Sequence, residues 1–243
     1  MPAARARLAT LATLAVALGG CVAGLATPGP STMAPAITPL AGGPVTDIRL
    51  HQAASAGDLA AIEAMLAEGL QVDGRDASGR TPVMAATAAR QTEAVRALID
   101  AGADVDTRDN RLDNPFLYAG AEGLLDILRL VNEAGADPAL TNRYGGIALI
   151  PACERGHVEV VRYLLAESDV DVDHVNNLGW TGLLEAIILA DGGADHQEIV
   201  RLLLDAGADP ELADRDGVTP LAHARAKGQA EIMALLVAGG ATR

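Results

Sequence analysis

Apolar and polar positions along this chain follow one arrangement that returns at nearly constant intervals. From Gly79 the residues run GRTPVMAATAARQTEAVRALIDAGADVDTRDN, and from Gly217 they run GVTPLAHARAKGQAEIMALLVAGGA. The stretch from Gly145, GGIALIPACERGHVEVVRYLLAESDVDVDHVNN, has the same layout. Each copy holds a short run of small apolar residues, a break, a second apolar run, and a close rich in Gly or Asp. Val and Leu at helical spacing, as in EVVRYLL, predict a helix with one buried face. Two short helices and a turn, repeated about every 33 residues, mark a stacked array. Each unit of such an array packs only on its neighbours, and the product is an extended surface without an enclosed reaction centre.

Local signals sharpen this reading. Thr before Pro, at Thr81-Pro82 and Thr219-Pro220, starts the first helix of a unit: the hydroxyl caps it and Pro fits its first turn. Small residues such as Ala53-Ala54 keep that helix thin, and a Gly after it supplies a left-handed stop. A Gly turn, a TPLH-like start, a small-residue helix, an apolar second helix and then Gly-Ala-Asp together resemble the ankyrin repeat. The resemblance implies an all-α repeat solenoid of about six stacked ankyrin repeats over residues 46–243, each a helix-turn-helix with β-hairpin loops. The units fall near 46–78, 79–111, 112–144, 145–178, 179–216 and 217–243.

Several positions depart from the pattern. Arg90 stands where the helix-ending Gly is expected, and Leu112 replaces a hairpin Gly. Pro151 falls inside the first helix of the fourth unit, where it removes a hydrogen bond or shifts the helix start. About five additional residues, around 190–195, separate the helices of the fifth unit.

The first 45 residues read differently. Arg5 and Arg7 precede an apolar run, Leu8 to Leu18, that is too short to span a bilayer as a mature helix. Leu18-Gly19-Gly20-Cys21 follows and resembles the bacterial lipobox. That resemblance implies a lipoprotein signal peptide at 1–20 and lipid, including palmitate, on Cys21. Val22 in place of Asp implies outer-membrane attachment facing the periplasm. Residues 21–45 hold five prolines among small residues with no charge, the composition of a disordered tether. A chain of that length reaches about 27 Å.

Charge narrows the partner class. The net charge is −14, and without the first twenty residues 16 basic residues face 32 acidic ones. That balance argues against nucleic acid, whose phosphates need clustered Lys and Arg. It favours solubility and basic partners.

No catalytic set emerges, and we read the chain as a non-enzyme with no metal, cofactor or small-molecule substrate. No GxSxG, Walker-type or HExxH motif is present. His51, His157 and His196 occupy family positions where structural roles are implied, and Cys153 reads as a packed thiol. Asp169, Asp171 and Asp173 alternate, but the following DHVNNLGW lacks the Gly and Glu of a calcium loop.

The ankyrin resemblance implies that a partner protein meets the hairpin tips and the exposed end of each first helix. Among tips this selects Arg111, Asp113, Tyr144, Leu178 and Trp180. On the helices it selects Glu154, Arg155, Ile188 and Leu189. Exposed aromatic and aliphatic side chains of this kind make binding hot spots, although Trp180 has a second option, packed beneath the inserted residues. The resulting expectation is a membrane-anchored adaptor of a bacterial cell envelope that binds a protein through its third to fifth units. A narrower alternative is an immunity or accessory protein that protects against or supports one periplasmic enzyme. The alternative of another class, an enzyme, would need a pocket of convergent polar residues, and the chain offers no such set.

Overall fold

The computed structural model describes residues 47–242. The segments expected to be a signal peptide and a Pro-rich tether, with Cys21 between them, lie outside the described residues. Twelve helices and no strand occur among those described. They come as six pairs: α1 (Arg49–Ala56) with α2 (Leu59–Ala67), α3 (Pro82–Ala88) with α4 (Thr92–Asp100), α5 (Pro115–Glu122) with α6 (Leu125–Glu133). The remaining pairs are α7 (Leu149–Glu154) with α8 (Val158–Glu167), α9 (Gly182–Ile188) with α10 (Ala194–Asp205), and α11 (Pro220–Lys227) with α12 (Ala230–Ala238).

The first helices stack on one another in order, α1 on α3 through to α9 on α11, and the second helices form a parallel layer from α2 to α12. One apolar core runs the length of the array from Leu50 to Ala241, with Phe116, Leu128, Leu164 and Leu203 buried inside it. Small residues let the first helices approach closely. Gly182 allows the Sγ of buried Cys153 to come within 3.2 Å of where its Cβ would stand. Burial pushes the Cys153 thiol far above its usual range, which leaves it inert.

Caps set the helix starts. Thr81 Oγ1 accepts from the Met84 N–H at 3.3 Å, Asn114 Oδ1 from Leu117 at 2.8 Å, and Thr181 Oγ1 from Leu184 at 3.2 Å. The fourth pair lacks this cap, and α7 begins only at Leu149, so Pro151 falls in its first turn, where no N–H partner is missing. The departure predicted at Pro151 is thus absorbed by a late start and a helix of six residues.

Arg90 and Leu112 both adopt left-handed backbone, with φ of 60° and 64°. A side chain there is strained by roughly 1–2 kcal/mol, and Gly relieves it at some cost in unfolded-chain entropy. Leu112→Gly is therefore expected to stabilise the protein by about 0.5–1 kcal/mol. A guanidinium titration with an unchanged or lower midpoint would contradict this.

The loops between pairs turn as hairpins but contain no strand. Their Asx side chains take the N–H groups that a ladder would use: Asp76 Oδ1 accepts from Ser78 at 2.8 Å and from Arg80 at 2.9 Å. The acidic closes of the units link neighbours instead. Asp73 Oδ1 accepts from the Asp104 N–H at 2.9 Å, Asp106 from Asp137 at 2.9 Å, and Asp173 from Asp209 at 3.0 Å.

The additional residues of the fifth unit divide between a short connection after Ile188 and a longer α10, which has 12 residues where most second helices have nine. The connection is held by the sixth pair. Lys227, the single lysine of the chain, donates from Nζ to the Ile188 and Ala190 carbonyls at 2.7 and 2.6 Å. Gln229 Nε2 donates to Ile187 and Ala190 at 3.2 and 3.3 Å. A cation on orphan carbonyls at the end of α9 is favourable.

Candidate functional site

Three successive hairpin tips and three first helices, α5, α7 and α9, frame an open groove of about 400 Å³. The tips share one construction. Asp109 Oδ1 accepts from the N–H groups of Arg111 and Asp113 at 2.7 and 3.0 Å. Asn142 does the same for Tyr144 and Gly146 at 2.9 and 3.1 Å, and Asn176 for Leu178 and Trp180 at 2.9 and 3.1 Å. These Asx turns hold the tips rigidly, so the residue two places on is displayed in the same way in each unit.

Of the residues selected from sequence, Arg111, Asp113, Tyr144, Leu178, Glu154, Arg155 and Leu189 all line this groove. Tyr144, Leu178 and Leu189 remain 53%, 52% and 50% exposed, which leaves a discontinuous apolar rim on fixed backbone. Trp180 and Ile188 are half-buried and do not line it. Tyr118, Ile150 and Pro151 add apolar surface between the tips.

The basic groups at the groove are engaged. Arg155 donates to Glu122 at 2.6 Å and to the Ala121 carbonyl at 2.7 Å. Arg143 lies 4.6 Å from the Tyr144 ring centroid and donates to its hydroxyl at 2.9 Å. Arg111 sits 3.6 Å from Asp113. Exposed pairs of this kind contribute only about 0–1 kcal/mol, so they orient side chains more than they stabilise the fold.

Sequence reasoning missed several groove residues, Tyr118, Ile150, Pro151 and Asn176 among them, and the most unusual of them is Glu185. It lies in α9 and is only 5% exposed, with Asn176 Nδ2 donating to its Oε1 at 2.8 Å. Burial, reinforced by the charge of Glu154, pushes its carboxyl up to about 7. Asp113 is also raised above the usual carboxylate range, by burial and then by Asp109. A signal for Glu185 existed: an acid inside the apolar run GLLEAII, at the position held by Ala85 in α3 and Tyr118 in α5.

Three of the five histidines serve the stack. His51, His174 and His196 approach the carbonyls of Arg80, Gly145 and Glu154 through Nε2 at 2.9, 2.7 and 3.0 Å. A carbonyl only accepts, so each Nε2 carries the proton. Among the described residues no group of three or more His, Cys, Asp or Glu is placed to hold a metal. No described helix is long and apolar enough to cross a membrane.

Comparison with known proteins places this architecture. The family described as ankyrin repeats (3 copies) matches residues 50–142, 116–214 and 152–242. The ankyrin repeat protein YahD of Escherichia coli strain K12 is 54% identical over 99 residues, 41% of this chain and 49% of YahD. The chain therefore spans about half the length of that relative, and only 6% of human BCL-6 corepressor-like protein 1, which is 33% identical over 103 residues. An ankyrin repeat domain from Acinetobacter baumannii AYE, solved by crystallography, is 55% identical with a TM-score of 0.78, covering 81% of this chain and 100% of that one. The crystal structure of the ankyrin repeat protein EF0377 is 39% identical, with a TM-score of 0.75 over 78% of this chain and 96% of its own. Ankyrin repeats generally serve as scaffolds for protein–protein interaction and not for catalysis. With its paired helices, Thr-Pro caps and Gly-closed units matched across most of its length, the chain belongs to the ankyrin repeat family.

Proposed function

We propose that this protein is an adaptor that binds another protein through the groove framed by α5, α7 and α9, while lipid on Cys21 holds it to a bacterial envelope membrane. The observation that carries the binding reading is the apolar rim of Tyr144, Leu178 and Leu189, half exposed on three consecutive units. Rigid elements that present such groups lose little entropy on binding. The anchor reading is supported by Arg5 and Arg7, the apolar run and Gly19-Gly20-Cys21 in that order. Val22 after the cysteine, where the lipoprotein resemblance would put Asp for inner-membrane retention, supports outer-membrane attachment facing the periplasm.

Leu178→Asp combined with Leu189→Asp is expected to weaken capture of the partner by about thirtyfold or more, the scale of losing a hot spot, without altering helical circular dichroism. Quantitative crosslinking mass spectrometry in cells reads this out, and undiminished capture would sink the groove reading. Cys21→Ser is expected to move the protein to the soluble fraction and abolish palmitate labelling. Persistent membrane association with no label on the wild type would overturn the anchor.

A further inference from the structure

The floor of the groove differs in chemistry from its rim. Glu185 is only 5% exposed yet lines the groove. Its Oε1 takes a neutral amide donor, Asn176, and its Oε2 accepts no hydrogen bond from the described residues. Glu154 lines the same groove from α7 and forms no ion pair among those residues. The guanidinium groups of Arg155 and Arg143 are committed to Glu122 and Tyr144, so neither compensates this charge.

A buried carboxylate without a cation is costly, and the fold does not demand one here. The equivalent position in α3 is Ala85, which is fully buried. A group that weakens the fold, faces a groove and lacks its complement has the features of a site awaiting a ligand. The walls above it are apolar, with Ile150 and Pro151 beside the tip residues. An arginine or lysine side chain suits both zones, with its methylene stem along the apolar wall and its charged head at the carboxylates.

We propose that the partner enters this groove as a peptide segment carrying a basic side chain, whose cation pairs with Glu185 and Glu154 while adjacent apolar residues rest on Leu178 and Leu189. This rests on the protein-binding reading above and names the partner's chemistry. The protein's own excess of acid, −14 in net charge, draws such a segment towards it.

A displayed library of random short peptides, panned against the full chain, tests the idea. Selected peptides should be enriched in arginine or lysine beside aliphatic residues. Replacing that arginine by citrulline, which is neutral and nearly the same shape, should lower affinity about tenfold or more for the wild type. The same replacement should change affinity less than about twofold for Glu185→Gln combined with Glu154→Gln. Peptides that depend on Leu178 and Leu189 but carry no basic residue, or that bind equally well as citrulline forms, overturn the cation proposal and leave the groove reading standing. Absence of any peptide sensitive to Leu178 and Leu189 overturns both.

Discussion

Gly120→Leu is expected to destabilise the array by about 3 kcal/mol or more, the upper range for forcing side-chain volume into a packed core. A Cβ at Gly120 would stand 2.8 Å from the Ala148 Cβ, 3.1 Å from its carbonyl oxygen and 3.4 Å from its Cα. These atoms belong to backbone at the head of α7 and to the shortest possible side chain, so no rotamer change clears the space. The two helices must separate. In a linear stack each unit depends on the interfaces to its neighbours, and a wedge between α5 and α7 uncouples the first three pairs from the last three. Unfolding in guanidinium should begin at a lower midpoint and lose cooperativity. Gly120→Ala should have a smaller effect in the same direction. Gly182→Ala should be milder still, because the atom it approaches is the Cys153 Sγ, a side chain able to move. A leucine variant that melts with the wild type would refute direct contact of these backbones.

The second strong effect depends on pH. Glu185 titrates near 7 in the folded protein, above the 4.5 of an unperturbed glutamate. Between these values the folded state holds a proton that the unfolded state has released. Stability from this residue is therefore fully present below about pH 4.5 and is lost as pH rises through 7. Glu185→Gln keeps an acceptor for Asn176 and carries no charge. Each tenfold difference in proton affinity between the folded and unfolded chain is worth about 1.4 kcal/mol. The variant should therefore gain on the wild type by about 2–3 kcal/mol more at pH 8.5 than at pH 5. Urea titrations of both proteins at the two pH values measure the difference directly. Equal gains at both would mean that Glu185 is ionised throughout, or hydrated, and that its burial imposes no penalty. If the gain appears, the wild-type carboxylate is maintained against stability, the pattern expected of a residue kept for binding.

Much of the groove was legible along the chain, because the repeat period places equivalent positions side by side. Counting from the hairpin signals was sufficient to put Tyr144, Leu178 and Leu189 on one face. The left-handed positions Arg90 and Leu112 could also be found by register, since the neighbouring units carry Gly there. Trp180 shows where register stops helping. Its backbone N–H is tied into the Asn176 turn at 3.1 Å, but the side a ring takes beside such a turn depends on the units around it. Lys227 is a similar case: composition offered no reason for a solitary lysine, and the stack supplied two carbonyls at the end of α9. The additional residues of the fifth unit counted as a loop in sequence, yet Ala194 and Asp195 begin α10.

Helix starts, helix ends and the period were written in the chain, since caps, left-handed stops and apolar spacing act over a few neighbouring residues. The closeness of α5 to α7, the burial of Glu185 beneath the tips, and the grip of the sixth pair on the fifth were decided only when the units stacked. Those features join residues from different repeats, and the free energy of a buried charge or a backbone contact depends on everything packed around it.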